Sequence, residues 1–238
     1  RWIPLMGPDP SRQPMFNIPA SVVVVALALF VLHVVRVTLP LQQNQTMLLA
    51  QAFIPARYAT MVPEFPGGEW SGITSFITYM FVHGDVTHLG INTIWMLAFG
   101  SAVAKRVGNL RFLLFSALCG VAGALVHLGL HFGEPVPVVG ASAAISGQMA
   151  GAVRFIFGAS GTLLGLPQNI QSVPLASIRE AVTDRRFLLF VSVWIALNLL
   201  FGLGGVQFND TSGGIAWEAH IGGFLCGFLA IGAFDRTS

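Results

Sequence analysis

Long apolar runs separated by short polar clusters dominate the chain, and their length sets the first expectation. Six stretches approach the roughly 20 apolar residues a helix needs to cross a bilayer: residues 20–39, 87–104, 112–131, 142–159, 187–204 and 216–234. The second and fourth are short or mildly polar by hydropathy alone, and the charge pattern is what admits them. The first run, Ala20 to Leu39, has no small-residue cleavage site after it and reads as an anchor. The pattern predicts an all-α polytopic membrane protein: a cytoplasmic segment 1–19, one six-helix membrane domain over 20–234, and a cytoplasmic tail 235–238.

Two connections are too long to be plain links. Residues 40–86 form an outer loop holding Pro55, Pro63, Pro66 and the pair Gly67-Gly68, followed by WSGITSFITYMF. That last stretch predicts a short amphipathic helix lying in the interface, with Trp70 and Tyr79 at headgroup level. Residues 160–186 predict an inner loop with a short helix from Pro174 to Ala181.

Composition strengthens the membrane reading. Hydrophobic residues make up 54% of 238 positions and charged residues only 9%, where about 25% is usual in soluble domains. Mean hydropathy is +0.74. The net charge of +2 carries no basic stripe, which argues against nucleic acid. Its distribution is informative. With the N-terminus inside, ten of the twelve basic residues fall on the inner side, and only Arg36 and Arg57 fall on the outer side. Both termini are therefore expected in the cytoplasm. Cys119 and Cys226 sit in apolar runs without metal or redox spacing, and the six histidines form no cluster along the chain, so no metal or cofactor is expected.

Polar groups inside spans are costly and ask for a reason. His88 and Asn92 are four residues apart, hence on one helix face. Ser142 opens the fourth run, Ser146 lies one turn deeper, and His220 lies near the start of the sixth. Runs two, four and six all enter from the outer side, so these groups fall at similar depth, within about two turns of their helix starts. Gly140, Gly147, Ala150 and Gly151 on one side, and Ala219, Gly223 and Gly227 on the other, are small residues spaced for close helix packing. That packing would let His220 reach Ser142. Ser146 alone is expected to bond its own backbone, His127 to be a pairing or surface residue without chemistry, and His33 and His131 to meet the interface.

GASAAISG around Ser142, HGDVTHLGIN around His88 and Asn92, and AHIGGFLCG around His220 resemble the motifs of the rhomboid intramembrane serine proteases. The resemblance covers roughly residues 70–234 and implies a rhomboid-like six-helix bundle with a membrane-associated loop after the first span. It implies a Ser142–His220 dyad, oxyanion stabilisation by His88, Asn92 and the Ser142 N–H, and supporting places for His83, Gly140, Ser146 and Gly223. Glu218 is not assigned as a third acid, because successive helix residues point apart.

Three departures matter. Ala143 stands where the family commonly has glycine, Ser146 where it often has an aromatic residue against the histidine, and Lys105 or Arg106 where a glutamate is expected. The last substitution predicts a looser inner network, and Ser146 is a candidate to bond His220. The implied partner is the transmembrane helix of a protein substrate within the lipid bilayer, with no nucleic acid. The implied place is a bacterial inner membrane, with the site opening to the periplasmic or outer side. The competing reading is a catalytically inactive rhomboid-like chaperone or accessory subunit. A channel or transporter finds no internal repeat or broken-helix pair to support it.

Overall fold

The computed structural model describes residues 17–59, 65–157, 170–203 and 216–235. Helix α1 (Ala20–Thr38) lies between Pro19 and Leu39-Pro40, and α2 (Leu41–Gln51) follows directly from Pro40. After a 3₁₀ turn at Pro55–Tyr58 comes α3 (Gly68–Thr78), then α4 (Val86–Trp95) and α5 (Ser101–Val107), joined by a π-helical turn at Met96–Gly100 into one rod. Gly108, at φ +87°, breaks that rod and starts α6 (Asn109–Leu130). The remaining helices are α7 (Ser142–Ile156), α8 (Ile178–Thr183), α9 (Arg185–Leu203) and α10 (Trp217–Phe234).

Among the described residues, five helical stretches are long and apolar enough to cross a membrane: Ala20–Thr38, Val86–Val107, Asn109–Leu130, Arg185–Gly202 and Trp217–Phe234. The predicted run 142–159 differs. Its helix, α7, has 15 residues, about 22 Å at 1.5 Å per residue, against roughly 30 Å of hydrocarbon. Residues 158–159 lie outside the described set. From Ala143 to Ile156 every side chain of α7 is buried, chiefly against α6 and α10. Enclosure by protein is what allows this helix to carry serine, glutamine and arginine.

The outer surface is apolar, as lipid requires. Val24, Leu27 and Phe30 on α1, Leu189 and Leu200 on α9, and Leu225 and Leu229 on α10 are all exposed. Helix α3 shows the same inversion, with Trp70, Ile73 and Ile77 outward and the small polar Ser71 and Ser75 inward. Tyr79 does not face outward as expected. It is buried, and its hydroxyl donates to the Gly120 carbonyl at 2.8 Å. Its ring joins Phe53 because an aromatic body gains more from burial than from the interface once the hydroxyl has an acceptor.

The loop 40–86 is mostly helical and does structural work for the site. Phe53 and Val138 exchange backbone hydrogen bonds at 3.0 and 2.8 Å, and Gly140 N–H donates to the Tyr79 carbonyl at 2.9 Å. The chain entering α7 is thereby pinned from the loop side.

The end of the bundle far from Ser142 corrects two expectations. The short helix starts at Ile178, not Pro174, because Ser177 caps it and forms a capping box with Glu180. The network expected to be loose is tied instead by Arg106, whose guanidinium is fully buried. It donates to Asp235 at 2.6 Å and to the Ile170 and Val173 carbonyls at 3.1 and 2.8 Å. Removing one partner of a buried pair strands the other charge, so Asp235→Ala is expected to lower stability by about 3–5 kcal/mol. Denaturant unfolding in detergent measures it.

Candidate active site

The site is built where three helix starts converge. Ser142 is the first residue of α7, and His220 lies in the first turn of α10. Ser142 Oγ and His220 Nε2 are 2.6 Å apart, within hydrogen-bond reach. The glycines explain the approach. A Cβ built on Gly223 would run into the Ala143 carbonyl oxygen, and one on Gly227 into the Gly147 carbonyl oxygen. Gly147 in turn leaves room for Cys119 and the Gly223 carbonyl. Backbone meets backbone along this seam, as the small-residue spacing predicts.

Ala143 sits inside the helix, and its methyl group points at α6. There a Cβ on Gly123 would come 2.6 Å from Ala143 Cβ. The glycine therefore has its counterpart across the interface.

His88 and Asn92 flank the entry to α7. Asp85 caps α4 by accepting the His88 N–H at 2.9 Å. A Cβ on Gly140 would lie 2.5 Å from His88 Nε2 and 3.7 Å from Asn92 Nδ2. Both nitrogens thus face the backbone two residues before Ser142, and Gly140, at φ +109°, is the residue that permits it. Asn92 Nδ2 gives one N–H to the His88 carbonyl at 3.0 Å, which leaves its second N–H available.

His83 supports this loop. Its Nε2 accepts the Ala141 N–H at 3.4 Å, and its carbonyl accepts a hydrogen bond from Arg36. Burial, with His88 adding to it, pushes His83 down to about 3, so the ring is neutral and can accept. Arg36 also donates to Gly84 and Asn44, and Arg57 to the Leu49 and Pro66 carbonyls. The two basic residues on the expected outer side are therefore internal braces.

Ser146 does not bond His220. Its hydroxyl donates to the Ser142 carbonyl one turn back, at 2.8 Å. The partner of His220 is one the sequence reading omits. Asn198 on α9 brings Oδ1 to 2.6 Å from His220 Nδ1, and its Nδ2 donates to the Trp194 carbonyl at 2.8 Å. One turn away, Trp194 stacks on Phe224 with ring centroids 4.5 Å apart. Trp194 and Asn198, and His220 and Phe224, each lie four residues apart, so the two contacts form successive rungs between α9 and α10. The signal was available: Asn198 is the one amide in an otherwise apolar run.

Glu218 turns away from Ser142, toward α6. Its Oε1 lies 2.7 Å from His127 Nδ1 and 3.0 Å from His131 Nε2. Histidines that look scattered along the chain therefore converge with a carboxylate in space.

Residues 70–236 match the sequence model of the Rhomboid domain. The chain is 31% identical over 166 residues to the rhomboid protease GluP of Bacillus subtilis (strain 168), covering 70% of this chain and 26% of that protein. It is 37% identical over 82 residues to the putative rhomboid protease YdcA of the same organism, covering 34% of this chain and 38% of YdcA. The matched regions thus span well under half the length of these relatives.

Proposed function

The chain belongs to the rhomboid family and is an integral membrane protein, and from that premise we propose that it is a serine endopeptidase cleaving transmembrane segments of other membrane proteins. The observation that carries the reading is the 2.6 Å approach of Ser142 Oγ to His220 Nε2 across a glycine-lined seam.

The chemistry follows from proton positions. Neutral His220 donates Nδ1–H to Asn198 Oδ1, which leaves the Nε2 lone pair facing the serine hydroxyl. Ser142 Oγ attacks the scissile carbonyl while Nε2 takes its proton. The oxyanion that forms is stabilised by His88 Nε2, by the spare N–H of Asn92, and by the unpaired N–H groups that open α7. His220 then protonates the leaving amine, and water, activated by the same imidazole, releases the acyl group. Asn198 acts through His220: it fixes the tautomer and the ring plane and touches no reacting atom.

A transmembrane substrate hides its amides in helical hydrogen bonds, so cleavage requires local unwinding. Substrates are expected to carry helix-weakening residues near the cut and a small side chain before it, matching the small residues around Ser142. We place the protein in a bacterial inner membrane with both termini cytoplasmic and the site opening outward.

The test is cleavage of a reporter transmembrane segment in liposomes by the intact chain, Ser142→Ala and His220→Ala. Product from the intact chain alone supports the reading. Product from all three, or from none when all are folded, rejects it, and the second outcome favours a helix-binding rhomboid-like protein.

A further inference from the structure

A second group of titratable side chains lies outside the Ser142–His220 pair. His127 and His131, one turn apart at the end of α6, stack with ring centroids 4.5 Å apart. Glu218, in the first turn of α10, places a single carboxylate oxygen between them, 2.7 Å from His127 Nδ1 and 3.0 Å from His131 Nε2. The other nitrogen of His131, Nδ1, faces Glu134 Oε2 at 2.8 Å. Among the described residues His127 Nε2 is buried with no hydrogen-bond partner, and Nδ1 is the ring's polar anchor there.

His131 faces a carboxylate oxygen from each of its nitrogens, Glu134 from Nδ1 and Glu218 from Nε2. Glu218 is only 5% exposed, and a buried carboxylate is costly unless a positive charge meets it. A divalent cation supplies that charge. It accepts lone pairs from His127 Nδ1, His131 Nε2 and a Glu218 oxygen, and it leaves the His131 Nδ1 proton to Glu134. That is the carboxylate–histidine–metal arrangement by which a second carboxylate fixes the tautomer of a ligating ring.

We propose that His127, His131 and Glu218 form a binding site for a divalent transition-metal cation of the zinc class. Two imidazoles and a carboxylate suit such an ion and leave a fourth position for water. The ligand atoms already lie within 4.8 Å of one another. Ligands on one tetrahedral zinc are about 3.3 Å apart, given bonds of about 2.0–2.1 Å, so closing on an ion takes small side-chain movements. His131 is half-buried and opens the site to solvent, while the other two ligands are enclosed. The bound ion fastens the last turn of α6 to the first turn of α10, two residues before His220.

The test uses the full chain, untagged, in detergent after chelator treatment, with cobalt(II) and then zinc(II) as probes. The expected result is one equivalent of cobalt bound with the visible absorption of a four-coordinate ion, displaced by zinc, together with a zinc-dependent rise in unfolding midpoint. His131→Ala, which removes a partly exposed ring and leaves the core intact, is expected to weaken binding about 100-fold. Glu218→Gln should do at least as much. No stoichiometric binding by the intact chain overturns the proposal. So does an affinity that His131→Ala leaves unchanged, the signature of an adventitious ion only. None of these readouts depends on proteolysis.

Discussion

Gly223→Ala is expected to abolish cleavage and to lower stability by about 3 kcal/mol, although alanine is the better helix former. Helix propensity alone favours the substitution by about 1 kcal/mol. Packing opposes it, because the new Cβ would fall inside contact distance of the Ala143 carbonyl oxygen, a backbone atom that no rotamer change can move. Overpacking of this kind costs about 1–3 kcal/mol, and more when backbone must shift. The only relief is separation of α7 from α10, which lengthens the 2.6 Å Ser142–His220 approach. Gly232→Ala is the control. It lies on the same helix, where the nearest atom to a new Cβ is the Leu175 side chain at 3.7 Å, an ordinary contact. That variant should keep full activity and be equal to or more stable than the parent. Thermal unfolding in detergent and liposome cleavage measure both outcomes.

Asn198→Ala is expected to reduce kcat by about 10- to 100-fold with little change in KM, the range implied by loss of a hydrogen bond to a group that becomes charged during the reaction. Without Oδ1, His220 can rotate or adopt the tautomer whose Nε2 carries the proton, and it then cannot take one from Ser142. Asn198→Asp keeps an acceptor at the same place and should recover most of the rate. Its carboxylate favours the imidazolium, so the acid limb of the pH–kcat profile should move to higher pH. If Asn198 only packed α9 against α10, alanine and aspartate would be equally damaging and neither would displace the pH profile.

The extent to which the chain announced this arrangement depended on the kind of physics involved. The five long apolar helices and the glycine seam were legible because they rest on periodicity and side-chain size, which are local. Ser142, His220, His88 and Asn92 stood out as polar groups near the starts of their apolar runs. Asn198 was visible as a lone amide, but its pairing with His220 was not, because a single amide names no partner until the α9–α10 register is fixed. The same limit applied to His127, His131 and Glu218, which lie far apart in sequence and meet only once α6 and α10 cross. Arg106 was misjudged for a related reason. A cation in place of an expected anion suggests a missing bond, whereas the fold supplies Asp235 and two loop carbonyls to receive it. The shortness of α7 could not be read from hydropathy either, since a helix wrapped by protein has no need to match the bilayer.

The most direct test of the central claim is reaction of the folded chain with a fluorophosphonate probe, followed by mass mapping of the adduct. The account predicts a single adduct on Ser142 that disappears in Ser142→Ala and falls steeply in His220→Ala. An adduct at another serine, equal labelling of His220→Ala, or none on the intact folded chain would contradict it.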